Sequence, residues 1–185
     1  MKKAAVFLAD GFEEVEGLTV VDLLRRAAAE VTMVSVMGTC EVTGAHKIAV
    51  RADRCFSEMN FEDQDLLVLP GGMPGTTNLS AHRKLGELLM KFASEERKVA
   101  AICAAPSVLG KLGILEGKTA TCYPGFEEKL RGARVTKNRV EVSENVTTSR
   151  GVGTAIPFAL SLIEQLFGRE KAEEIKNSII YGHSC

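Results

Sequence analysis

The residues best suited to chemistry lie in Ala101-Ile102-Cys103-Ala104-Ala105-Pro106. A nucleophile carried on a sharp strand-to-helix turn needs small residues two before and two after it, because the turn brings those positions into contact. Ala101 and Ala105 meet that need. Pro106 fits the first turn of a helix that would follow. At a strand's carboxyl end and a helix N-terminus, backbone N–H groups and the helix dipole favour a thiolate, so this placement predicts a lowered pKa for Cys103. The competing reading is packing, since cysteine is among the most buried residue types and an Ala-rich apolar run is ordinary core.

Two further stretches could complete a site. Pro70-Gly71-Gly72-Met73-Pro74-Gly75 follows an apolar run, and adjacent glycines leave amides uncovered for an oxyanion. No Gly-Lys-Ser or Gly-Lys-Thr follows, so it is not a phosphate loop. Asp10-Gly11-Phe12-Glu13-Glu14-Val15-Glu16 follows the first apolar run. Carboxylates so placed usually start a solvated helix, but one turned inward beside a thiolate would have a raised pKa and donate a proton. Residue types alone leave Glu13, Glu14 and Glu16 as alternatives. His46, His82 and His183 are the only histidines; none lies just beyond a buried strand, and each is read as a surface residue. Gly151-Val152-Gly153 lacks the third small residue of a dinucleotide fingerprint, with Ile156 in its place, so no cofactor is expected there.

The elements that must position these residues follow from periodicity. Short Val-, Ile- and Leu-rich runs alternate with helical spacing, the pattern of a parallel sheet covered on both faces. Strands are predicted at 3–9, 31–36, 65–69, 99–103, 119–122, near Val140 and at 146–149, with a hairpin within 37–52 carrying Ile48 and Val50 on one side. Helices are predicted at 19–29, 82–95, 105–112 and 155–167, with a short polar helical stretch near 126–130. Gly168 ends the last long helix. No linker or repeat interrupts the chain, so residues 1–185 read as one α/β domain.

Composition narrows the function. With 23 Lys plus Arg against 24 Asp plus Glu, the chain has no electrostatic footprint for nucleic acid or anionic lipid. The longest apolar run, 99–105, falls far short of the roughly 18 residues that span a membrane. The apolar stretch at 4–9 meets Asp10 too soon for an export signal, so a cytoplasmic protein is expected. Five cysteines without a C-x-x-C spacing argue against a disulfide framework or a zinc knuckle, and no metal site is expected.

With Leu8 through Glu16, Val68-Leu69-Pro70-Gly71-Gly72, Ala101 through Pro106 and Thr148-Ser149-Arg150-Gly151 in order, the chain resembles the ThiJ/PfpI superfamily. Within it the similarity is to the branch of the Parkinsonism-associated deglycase and its bacterial relatives. The resemblance implies a flavodoxin-like, Rossmann-like three-layer sandwich related to class I glutamine amidotransferases, working as a homodimer without cofactor. It implies that Cys103 is the reactive cysteine, that Glu16 is its protonated partner, and that Gly72 and Ala104 supply backbone donors with Gly71 beside them. It also places Tyr123 and Arg150 around the substrate. Ala104 stands where the peptidase-like branch has histidine, which removes a Cys-His dyad and argues against peptidase activity. Tyr123 in Thr121-Cys122-Tyr123-Pro124 replaces a histidine common in the deglycase branch, and a phenol of reference pKa about 10 is a poor base. The implied activity is on a small carbonyl substrate, such as methylglyoxal or glyoxal, or on an early glycation adduct of protein or nucleotide. The alternative is an oxidative-stress sensor or chaperone whose cysteine forms a sulfinate.

Overall fold

The computed structural model describes residues 1–182. His183 and Cys185 therefore lie outside the described residues. The first strand, β1 (Lys3–Leu8), shows why the chain layers as it does. Ala4, Val6 and Leu8 enter one apolar cluster while Ala5, Phe7 and Ala9 enter the other, so alternate side chains serve two cores. A strand buried on both faces must read as a continuous apolar run.

The chain continues through α1 (Glu14–Arg26), β2 (Glu30–Ser35), a hairpin of β3 (Glu41–Thr43) and β4 (Ala49–Arg51), and the short β5 (Arg54–Cys55). Then come β6 (Leu66–Leu69), α2 (Gly75–Ala81), α3 (Arg83–Ser94), β7 (Lys98–Ile102), α4 (Pro106–Lys111) and β8 (Thr119–Ala120). The last elements are β9 (Arg134–Val135), β10 (Val140–Ser143), β11 (Val146–Ser149), α5 (Ala155–Phe167) and α6 (Arg169–Ser178). The main sheet has the order β10-β11-β7-β6-β1-β2-β5, parallel throughout except for the antiparallel edge pair β10 and β11. Val20, Leu24, Phe158 and Ile163 on α1 and α5 cover one face, and Leu85, Leu89 and Leu109 on α3 and α4 cover the other. This is the flavodoxin-like three-layer α/β sandwich.

Successive parallel strands leave β1 in opposite directions, towards β2 on one side and β6 on the other. The crevice at the carboxyl ends of those strands is where open α/β sheets place ligands. The loops after β1, β6, β7 and β11 all open there.

Several elements depart from the sequence reading. The first helix starts at Glu14 rather than 19. Its opening turn is acidic, which suits a helix N-terminus but gives no apolar signal. The helices α2 and α6 carry only three and two buried residues, too few to stand out by periodicity. The strand at 119–122 shortens to two residues paired with β9 in a separate sheet. In the hairpin Val42 is the buried residue and Ile48 is 53% exposed. His82 is half-buried rather than on the surface: its Nδ1 accepts a 3.1 Å hydrogen bond from the Leu85 amide and so caps α3, and its ring packs on Phe56.

Candidate active site

Cys103 occupies the single step between β7 and the turn into α4, with a φ of +66°. A side chain in the left-handed region costs on the order of 1–3 kcal/mol and persists only where neighbours fix it. They do so here. The Cys103 amide donates to the Ser149 carbonyl at 3.0 Å, the Tyr123 amide donates to the Cys103 carbonyl at 2.8 Å, and the Ala105 amide donates to the Ile102 carbonyl at 3.1 Å. With its main chain held on both sides, the side chain is aimed out of the strand into the crevice.

Glu16 comes from the first turn of α1 and is fully buried. Its Oε2 accepts a 2.9 Å hydrogen bond from the Gly71 amide, while Oε1 has no hydrogen-bond partner of its own. A proton on Glu16 therefore belongs on Oε1, because Oε2 is already receiving one. Glycine is required at 71, where a Cβ would lie 2.6 Å from the Cys103 Cβ and 2.8 Å from Glu16 Oε2. Gly71→Ala is expected to lower the unfolding free energy by about 1–3 kcal/mol through this overpacking. Urea denaturation checks it, and a midpoint equal to that of the unaltered protein would contradict the close approach.

The two acidic groups control each other. Burial, with the Glu13 charge adding to it, raises Glu16 to about 7 against the opposing hydrogen bonds of Cys103 and Gly71. Burial and then the Glu16 charge push the Cys103 thiol up to about 12, against the Gly72 and Ala104 amides that favour its thiolate. Two negative charges cannot share this pocket, so the pair carries at most one negative charge near neutral pH. The lowered cysteine pKa expected from the helix N-terminus is thus reversed while Glu16 is ionised. The following helix has six residues, and its dipole does not offset burial beside a carboxylate. A proton on Glu16 removes the repulsion and leaves the two amides to favour the thiolate against burial, the larger of the two opposing causes.

Gly72 has a φ of +88°, and a Cβ there would fall 2.3 Å from the Glu13 amide nitrogen. Only glycine allows this loop to turn its amide to the sulfur. The cleft in front of Cys103 measures about 570 Å³ and is lined by Glu13, Glu16, Gly72, Met73, Ala104, Tyr123, Phe126, Arg150 and Val152 among others. Tyr123 is half-exposed and its ring lies against Gly151, where an added Cβ would meet it at 3.3 Å.

The model of the DJ-1/PfpI family matches residues 2–165. The chain belongs to the DJ-1/PfpI family. Protein DJ-1 homolog B of Arabidopsis thaliana is 41% identical over 97% of the chain, and the chain spans 41% of that relative's length. Protein dj-1beta of Drosophila melanogaster is 36% identical, with 99% of each protein covered. Among solved structures, oxidized DJ-1 of Toxoplasma gondii superposes with a TM-score of 0.95 at 36% identity, covering 99% of this chain and 100% of that one.

In this DJ-1/PfpI chain, all seven residues singled out in the sequence lie at the crevice, six lining the cleft and Gly71 just behind Cys103 and Glu16. Gly71 is no oxyanion donor, because its amide is committed to Glu16. Of the three candidate carboxylates, two are buried. Glu14 points away, accepting hydrogen bonds from the His46 amide at 2.8 Å and pairing with the His46 ring at 2.8 Å, which pins the hairpin to α1. His46 itself is exposed, as expected. The apolar cleft residues Met73, Phe126 and Val152 carried no sequence signal, being single residues in loops. Among the described residues no helix is long and apolar enough to cross a membrane.

Proposed function

We propose that this protein is a cofactor-independent enzyme acting on reactive dicarbonyls or early glycation adducts, with Cys103 as nucleophile and Glu16 as proton shuttle. The observation that carries this reading is the buried Glu16 carboxyl set against Cys103, with the Gly72 and Ala104 amides converging on the same sulfur. A cleft of about 570 Å³ with apolar walls suits a small uncharged carbonyl compound.

For methylglyoxal the thiolate adds to the aldehyde carbon, and the Gly72 and Ala104 amides hold the oxyanion that forms. The proton on Glu16 Oε1 passes to that oxygen, giving a hemithioacetal and leaving a carboxylate. Glu16 then takes the hydrogen from the former aldehyde carbon, the hydroxyl proton passes to the neighbouring ketone oxygen through an enediol, and Glu16 returns its proton to the adjacent carbon, leaving a thioester carbonyl. The resulting thioester is hydrolysed by water to lactate and the free thiol. A base raised to about 7 is matched to this transfer near neutral pH. Arg150 lines the cleft and offers a guanidinium to the carboxylate product. Metal-stripped, glutathione-free protein should consume methylglyoxal; consumption no faster than in buffer sinks the reading.

A second reading is favoured by one comparison, the superposition on a relative solved in oxidized form. The same two amides and protonated Glu16 would hold a Cys103 sulfinate, making the protein an oxidative-stress sensor or chaperone. Intact-mass spectrometry during a peroxide titration is expected to show two oxygens added selectively at Cys103 and lost in Glu16→Leu. Oxidation scattered over all the cysteines would reject it. Both readings treat residues 1–185 as one domain working as a homodimer. The one-domain part is supported by the near-complete two-way coverage of the Drosophila and Toxoplasma relatives.

A further inference from the structure

Cys40 and Cys55 are fifteen residues apart in sequence, and the fold brings their sulfurs to 3.1 Å. That is about 1 Å longer than a disulfide bond of about 2.05 Å. The two thiols are delivered by separate pieces of backbone. Cys40 precedes the hairpin, where its carbonyl accepts a 2.7 Å hydrogen bond from the Ala52 amide. Cys55 ends the edge strand β5, paired with Ser35, and its amide donates to Glu58 Oε2 at 2.8 Å. Both are half-buried, and Cys55 lines a cavity of about 450 Å³ bordered by Phe56, His82 and Lys84, open to small solutes.

We propose that Cys40 and Cys55 form a second redox site, independent of Cys103, which hydrogen peroxide closes to an intramolecular disulfide. Either sulfur can be the donor in this contact, so the reaction can begin at either; with Cys40 first it runs in two steps. The Cys40 sulfur attacks one peroxide oxygen, the O–O bond breaks, and the thiol proton leaves in water, giving a sulfenic acid. The Cys55 sulfur then attacks the Cys40 sulfur, the S–O bond breaks, and the Cys55 proton leaves with the hydroxyl as a second water. Two thiols give up two electrons and one peroxide accepts both.

Closure would staple the hairpin to the sheet edge. That hairpin braces the loop leading into α1, with the Gly11 amide donating to the Thr43 carbonyl at 2.8 Å and the Thr43 amide donating to Asp10 at 2.9 Å. The bond therefore ties down the segment that presents Glu16.

The test uses full-length Cys103→Ser protein, reduced, desalted and titrated with hydrogen peroxide. The expected result is the loss of two hydrogens per chain. Non-reducing digestion should join the peptides holding Cys40 and Cys55, and dithiothreitol should restore the starting mass. The change should vanish in Cys40→Ser and in Cys55→Ser. Should either fail to fold, counting alkylatable thiols in the folded Cys103→Ser protein decides, with two lost on oxidation. Oxygen additions without hydrogen loss, or a cross-link between other cysteines or between chains, would overturn the proposal. So would one tightly held equivalent of added zinc on Cys40, Cys55 and Glu58 that protects both thiols from peroxide.

Discussion

Glu16→Gln, made in a Cys103→Ser background so that Glu16 is the only member of the pair titrating, is expected to gain stability with rising pH. The gain relative to the Glu16 protein reaches about 3 kcal/mol above pH 7. Burial raises the carboxyl from 4.5 to about 7 in the folded protein with Cys103 in place, and serine at 103 leaves that burial, the largest cause, unchanged. Between these values the folded state still binds a proton that the unfolded chain has released. Stability therefore falls as pH rises through that window and levels off above it. Glutamine cannot ionise, and its carbonyl oxygen can still accept from the Gly71 amide. Urea unfolding of both proteins at pH 4, 6 and 8 measures the difference; one that stays constant with pH would show that Glu16 titrates as an ordinary surface carboxyl. With Cys103 intact, Glu16→Gln is also expected to lose dicarbonyl turnover, because the amide cannot return a proton to carbon.

Cys103→Ser is expected to lower kcat/KM for methylglyoxal by about a thousandfold or more while the protein stays folded. A serine hydroxyl is a far weaker nucleophile unless a neighbouring base takes its proton, and no histidine among the described residues lines the cleft. His82 is committed to capping α3 and His46 to Glu14. Glu16 alone would have to activate the hydroxyl and then move the carbon-bound proton, two tasks for one carboxylate. The change replaces a single atom and leaves the main-chain bonds to Ser149 and Tyr123 intact, so a fall in rate reports on the sulfur. A variant retaining a tenth of the rate would assign the chemistry elsewhere.

The strands and the elbow were readable because both depend on local residue types. Doubly buried strands must be apolar throughout, and a nucleophile turn must have Ala101 and Ala105 around it. Other features depend on what the fold brings together. Glu16 was separable from Glu13 and Glu14 only through the family resemblance, since it meets Cys103 only when the first turn of α1 and the turn after β7 come together at the crevice. The direction of the cysteine shift was misjudged for the same reason: the sequence shows the helix start but not the burial or the adjacent carboxyl. The onset of α1 and the whole of α6 were hidden by polar residues that carry helical structure without an apolar stripe. The described cysteines are free thiols, as expected, but the close approach of Cys40 and Cys55 was not legible because they meet only after β5 joins the edge of the sheet.

The central claim is that Cys103 and Glu16 together convert a dicarbonyl without metal or added thiol. Proton NMR of methylglyoxal incubated with metal-stripped, glutathione-free protein tests it most directly. The account predicts lactate formed in equal amount to the methylglyoxal lost, with neither change above background in Cys103→Ser. Methylglyoxal that disappears into protein adducts without lactate, or lactate formed equally fast by Cys103→Ser, would contradict it.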